Sequence, residues 1–167
     1  MGSEGWSVQV RDLQASDAIK AGTPYVAPEG RVLVGYSHNG DVNGETRYLH
    51  ARMVVVTTDG VYDTSVDSGS WVEINPRRGS NFEFVCPSGE ALVGRLHSGD
   101  ESEQVRSARV TVHINGTEYP LSFTSGAWIT AGQESEHDVR APEGQVLIGQ
   151  RQEQMATADY RFATPTV

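Results

Sequence analysis

The sequence predicts an all-β domain with pseudo-threefold internal repetition, β-prism-like or β-trefoil-like, with about four short strands per repeat. Three observations predict it. One segment recurs three times, its apolar runs are short and β-branched, and Gly, Pro and Asn-Gly pairs punctuate them.

The recurring segment reads Ala27-Pro28-Glu29-Gly30-Arg31-Val32-Leu33-Val34-Gly35, then Cys86-Pro87-Ser88-Gly89-Glu90-Ala91-Leu92-Val93-Gly94, then Ala141-Pro142-Glu143-Gly144-Gln145-Val146-Leu147-Ile148-Gly149. Pro-x-Gly is a turn, and the apolar run closed by Gly is a buried strand. Trp6, Trp71 and Trp128 each precede one copy, so the repeats run 6–70, 71–127 and 128–167 within a single domain. The third copy lacks a final hairpin. Three equivalent tryptophans at strand starts read as a symmetric core.

Along the chain, only Asp12 to Lys20 hints at a helix. Met53 to Thr58 is β-branched and reads as a strand, with Asp59-Gly60 as its turn. Val110-Thr111-Val112-His113-Ile114 alternates strictly, as a half-buried strand does. Asn115-Gly116 after it is a two-residue hairpin turn, because both residues tolerate positive φ. Glu134-Ser135-Glu136-His137-Asp138 has no counterpart in the other copies and reads as a solvated acidic turn.

The 167 residues carry a formal charge of −9 and a pI near 4.9. Nucleic acid is a poor partner for such a surface, since long-range repulsion opposes every encounter. The longest apolar run is far short of the ~20 residues a membrane helix needs, so no insertion is expected. Met1 to Trp6 has no basic or apolar leader pattern. The lone Cys86 excludes an intramolecular disulfide framework and four-cysteine or two-cysteine, two-histidine zinc sites. It reads as a buried, inert thiol. There is no Gly-x-Ser-x-Gly elbow, phosphate loop or His-Glu-x-x-His, so no catalytic residue is assigned and no enzyme is expected.

The combined pattern resembles the dermatopontin family. Its repeat runs Cys-Pro-x-x-x-Val-apolar-x-Gly-x-Ser, then Asp, then Glu-Asp-Arg before an aromatic strand ending in Cys. Pro28, Val32, Leu33, Gly35, Ser37, Asp41, Glu45 and Arg47 fall at that spacing. The second copy keeps Cys86, Pro87, Gly94, Asp100 and Arg106, and the third Pro142, Val146, Gly149 and Arg161. The family's half-cystines fall at Ala27 and Met53, Cys86 and Val112, and Ala141 and Val167, so the resemblance implies apolar contacts in place of bridges. It also implies glycan or matrix binding, an extracellular or surface location, and no catalysis. The negative charge favours neutral over sulfated glycans.

One polar constellation recurs, ten to nineteen residues after each Pro. Sugar hydroxyls both donate and accept, and planar side chains with two polar atoms can chelate adjacent hydroxyls. The candidates are His38, Asp41, Asn43, Glu45, Arg47 and Tyr48 in the first copy. His97, Asp100, Glu101, Gln104 and Arg106 serve in the second, and Asp159 and Arg161 in the third. Arg47, Arg106 and Arg161 all lie nineteen residues after the Pro, and should coincide in space. Each also fits an internal pairing with the Glu, Gln or Asp two residues before it. Where the first two copies have His and Asp, the third has Gln152 and Met155, so two full sites and a weak third are expected.

No cofactor is assigned. Calcium is the one ion the loops begin to suit: Asp41, Asn43 and Glu45 alternate like its ligands, and the second copy offers Asp100, Glu101 and Glu103. The helices and distal Glu of an EF-hand are missing. The functional expectation is a multivalent, non-enzymatic, lectin-like module. The alternative is a structural, virion-type or matrix-type domain whose polar loops contact proteins.

Overall fold

The computed structural model describes residues 5–39, 45–75, 82–97, 103–133, 136–152 and 157–167. The chain is all-β, with no helix among the described residues. Its strands are β1 (Ser7–Ala15), β2 (Ile19–Lys20), β3 (Tyr25–Val26), β4 (Arg31–Asn39), β5 (Glu45–Thr57), β6 (Gly60–Val66), β7 (Ser70–Asn75) and β8 (Phe82–Val85). β9 (Glu90–His97), β10 (Glu103–Ile114), β11 (Thr117–Pro120), β12 (Ser122–Gln133), β13 (Glu136–Arg140), β14 (Val146–Gln152) and β15 (Thr157–Thr166) follow.

Three long hairpins carry the fold: β4–β5, β9–β10 and β14–β15. Each has a bulge at the same place in its repeat. Val34, Val93 and Ile148 are the extra residues, skipped between Leu33 and Gly35, Leu92 and Gly94, and Leu147 and Gly149. Their freed carbonyls accept hydrogen bonds from a different repeat. Ala141 N donates to Val34, Ala27 N to Val93 and Cys86 N to Ile148, at 2.7–2.8 Å.

The same exchange governs strand pairing. β3 of the first copy pairs with β9 of the second, β8 of the second with β14 of the third, and β13 of the third with β4 of the first. On the other side of each hairpin, β1 pairs with β5, β7 with β10 and β12 with β15. Each hairpin thus carries a borrowed strand along its first arm, and β6 of the first repeat also joins β5 to β10. β4, β9 and β14 also contact one another pairwise.

The close approach of borrowed strands explains the Gly that ends each apolar run. A Cβ on Gly94 would lie 2.6 Å from the Tyr25 carbonyl oxygen, and one on Gly149 2.6 Å from that of Phe84. One on Gly35 would collide with the Val139 carbonyl.

The bulges also sort the core. Before the bulge, alternate residues face a valine-rich cluster (Val32, Val34, Ala91, Val93, Val146, Ile148), and Leu33, Leu92 and Leu147 face an aromatic cluster with Tyr48, Tyr160 and Phe162. One extra residue reverses the parity, so Tyr36 joins the aromatic side. Ala27 belongs to the aromatic cluster and Met53 to the valine-rich one, whereas Cys86 packs against both. Burial pushes the Cys86 thiol up to about 12, which makes it inert.

Several expectations need correction. The stretch from Asp12 to Lys20 is not helical. β1 runs through Ala15 against β5, and Asp12 adopts a positive φ of 57°. Edge pairing outweighs a weak local helical pattern. At the first hairpin turn, Thr58 and Asp59 form the bend and Gly60 already pairs with Thr57. Asn115-Gly116 is a turn as expected, with φ of 53° and 81°. The segment from Glu136 to Asp138 is strand, not a solvated turn, and is the borrowed partner of β4.

Trp71 and Trp128 are not core residues. They stand half-buried opposite Arg106 and Arg161, whose guanidinium carbons lie 5.7 and 5.5 Å from their ring centroids. Trp6 is not their counterpart. Ala15 occupies that place opposite Leu49, while Trp6 packs edge-on against Tyr119 at 5.0 Å.

Candidate functional site

The residues eight and ten positions after each Pro converge. The outer level holds His38, His97 and Gln152, paired across their hairpins with Thr46, Glu103 and Ala158. The inner level holds Tyr36, Arg95 and Gln150, opposite Tyr48, Val105 and Tyr160. Between the levels lies a cavity of about 20 Å³, lined by His38, Arg95, His97, Glu103, Gln150 and Tyr160. That is room for about one water, which needs ~10–15 Å³. A saccharide cannot enter it.

Arg95 and Glu103 form the electrostatic centre, each 5% exposed. Arg95 Nε donates to Glu103 Oε2 at 3.1 Å and Nη2 to Oε1 at 3.2 Å. Its Nη1 donates to the Tyr48 hydroxyl at 3.2 Å, and its guanidinium sits 4.6 Å from the centroid of Tyr36. Gln150 Nε2 donates to Glu103, and Tyr36 OH donates to Tyr160 OH. No buried side-chain polar atom among the described residues lacks a partner.

This satisfaction sets the charge states. Burial pushes the Glu103 carboxyl up. Arg95, His97 and the hydrogen bonds from Arg95 and Gln150 outweigh it and hold the group below the ordinary value. Burial likewise works against the Arg95 cation, but Glu103 and the surrounding tyrosines raise it well above its usual range. Tyr36 and Tyr160 are raised chiefly by burial, so both stay neutral. The centre is one buried ion pair inside a neutral aromatic shell.

At the outer level, His38 Nδ1 is 2.9 Å from Thr46 Oγ1. The rings of His38 and His97 meet edge to face, with centroids 6.1 Å apart. Two separate sites would keep these histidines apart. The repeats instead combine them, with Gln152, in one place.

The other candidates do not join this cluster. Asp41, Asn43, Asp100 and Glu101 lie outside the described residues. Tyr48 is 2% exposed and stacks on Tyr25 with centroids 4.5 Å apart, so its face is closed to a sugar. Glu45 and Arg47 are exposed on β5, and Arg47 donates to the Ser16 carbonyl at 3.3 Å. Gln104 alternates with buried Glu103 and Val105 on β10. Arg106 Nε donates to the Ser68 carbonyl, and Arg161 Nε to that of Gly126 at 3.0 Å. Asp159 accepts from Thr130 at 2.7 Å and from Arg151 at 2.9 Å. These arginines and Asp159 are internal clasps.

The three arginines do not coincide. Arg106 and Arg161 stand opposite Gly94 and Gly149, but Leu49 stands opposite Gly35, and Arg47 faces Ser37. The first hairpin is two residues longer, so counting from Pro loses register beyond its tip. Of the calcium set, Glu103 is taken by Arg95. Among the described residues no group of three or more His, Cys, Asp or Glu is placed to hold a metal ion.

Sequence reasoning missed Arg95 and Gln150. The signal was present: a charged and an amide residue follow directly on buried apolar runs at the position of Tyr36.

No protein-family model, curated protein or solved structure matches the chain.

Proposed function

We propose that the protein is a non-enzymatic, lectin-like module with a pseudo-threefold, prism-like architecture, binding neutral glycans where its three long hairpins converge. The observation that carries this reading is the meeting of His38, His97 and Gln152 over a rigid, fully satisfied polar base. Imidazole and amide side chains each present two polar atoms in a plane, which suits adjacent hydroxyls. A pre-organised base lowers the ordering cost of weak ligand contacts. The recurrent exchange of strands among the three repeats supports the prism-like arrangement, since it yields three four-stranded groups: β1-β5-β4-β13, β7-β10-β9-β3 and β12-β15-β14-β8. The dermatopontin-like pattern and the charge of −9 support a neutral glycan as ligand.

A glycan array tests the reading. Neutral glycans should bind and remain uncleaved, and His97→Ala with Gln152→Ala should weaken the best of them about tenfold, or ~1.4 kcal/mol. An array without a neutral hit, or unchanged binding in the double variant, refutes it.

A further inference from the structure

Two grooves of nearly equal size lie where the Pro-x-Gly turn of one repeat meets the hairpin of another. One has a volume of about 330 Å³ and the other about 300 Å³. They are built from equivalent parts. The first sets the turn from Ala141 to Gly144 against Val34 and the β1 segment from Val10 to Leu13. The second sets the turn from Ala27 to Gly30 against Val93 and the segment from Val66 to Ser68. Val10 and Val66 correspond, since they pair with or face Met53 and Val110 at matching positions of β5 and β10.

The third equivalent turn is more tightly covered. A Cβ on Gly30 or Gly144 would meet nothing within 4 Å, whereas one on Gly89 would lie 3.5 Å from the Leu121 carbonyl oxygen. Leu121 is 1% exposed and packs in the valine-rich cluster, with its N–H bonded to Val110. The sequence follows the same division. The two open turns both read Ala-Pro-Glu-Gly, and the covered one reads Cys-Pro-Ser-Gly.

From these observations we infer that the two open grooves are a matched pair of saccharide sites, distinct from the hairpin end. This inference rests on the glycan-binding reading for its ligand class. Each groove has an apolar floor of valine, alanine and proline, which suits the C–H face of a pyranose. Each rim carries two arginines and two carboxylates. They are Arg11, Arg140, Asp12 and Glu143 in one, and Arg31, Arg106, Glu29 and Asp67 in the other. The balance of sign selects a neutral ligand over a sulfated one. Much of each rim is already engaged: Asp12 with Arg52, Arg106 with Ser68, and Asp67 with the amides of Gly69 and Arg109. Glu29 and Glu143, exposed on the two turns, are the acceptors that a hydroxyl reaches.

The test uses the full-length ¹⁵N-labelled chain, titrated separately with methyl α-glucopyranoside, methyl α-mannopyranoside and methyl β-galactopyranoside. With at least one of them, the amides of Gly30 and Gly144 should shift in parallel while that of Gly89 stays in place. Glu29→Gln with Glu143→Gln should weaken these shifts about tenfold in apparent Kd, or ~1.4 kcal/mol. The hairpin-end response should be left intact. Shifts confined to His97 and its neighbours would overturn the groove sites while leaving the proposed function standing. Equal shifts at Gly89 would overturn the matched pair. No shift with any of the three glycosides would also overturn the groove sites. A blank glycan array is what would remove the proposed function itself.

Discussion

Replacing Glu103 with Gln tests the ion pair at the centre of the molecule. The substitution keeps shape and most hydrogen bonding but removes the one carboxylate bonded to Arg95 among the described residues, beside a cation 5% exposed. Stranding one member of a buried pair costs ~3–5 kcal/mol. Each kcal/mol lowers Tm by ~2–4 °C in a chain of this size, so Tm should fall by ~6–20 °C. Adding Arg95→Met removes the stranded cation, so the double variant should be no less stable than Glu103→Gln alone. Thermal and urea unfolding of the four members of the cycle measure this directly. If the double variant loses the sum of the two single losses, the residues are uncoupled and the account of the network fails.

Further predictions follow from the same geometry. Because the Glu103 carboxyl sits lower in the folded protein than the ordinary value of 4.5, its stabilisation is complete above that value and is lost as pH falls through the folded one. Unfolding free energy measured against pH should slope downward there in the wild type and less steeply in Glu103→Gln. Gly94→Ala and Gly149→Ala force a Cβ against a neighbouring repeat's carbonyl, and should each cost roughly 1–3 kcal/mol by denaturant midpoint. An unchanged midpoint would contradict the close strand approach. Arg106→Ala removes the cation beside Trp71, and Arg161→Ala one of the two beside Trp128, where Arg151 remains at 4.4 Å. They should alter tryptophan fluorescence and cost ~0.5–1 kcal/mol each by denaturant midpoint.

Much of the strand content was legible in local chemistry. The Pro-x-Gly turns, the alternation from Val110 to Ile114 and the Asn115-Gly116 bend each follow from backbone preferences of a few residues. What was not legible depends on partners distant in sequence. Nothing near Gly35 says that Val139 will lie across it. The offset of Arg47 failed because the first hairpin spans two more residues between Gly35 and its partner Leu49 than the second does between Gly94 and Arg106. For the site, His38 and His97 stand out in the sequence by residue type, but their meeting is a property of how the three hairpins assemble. Tyr48 looked like a sugar platform because an aromatic in a polar stretch is ambiguous until its ring is found stacked on Tyr25.

The borrowed strands carry a consequence for how the chain can reach this state during synthesis. β4 emerges early, yet its outer neighbour β13 lies about a hundred residues further on, at Glu136–Arg140. Until that segment arrives, one edge of the first hairpin has backbone groups with no strand beside them, and such edges invite pairing with other chains. The strand pairing therefore cannot close progressively, one hairpin at a time. It closes in a late step that joins the last repeat to the first, and loop-closure entropy makes so distant a contact slow to form. A nascent chain halted before Glu136 would present an open β4 edge, whatever the intrinsic quality of its first two repeats.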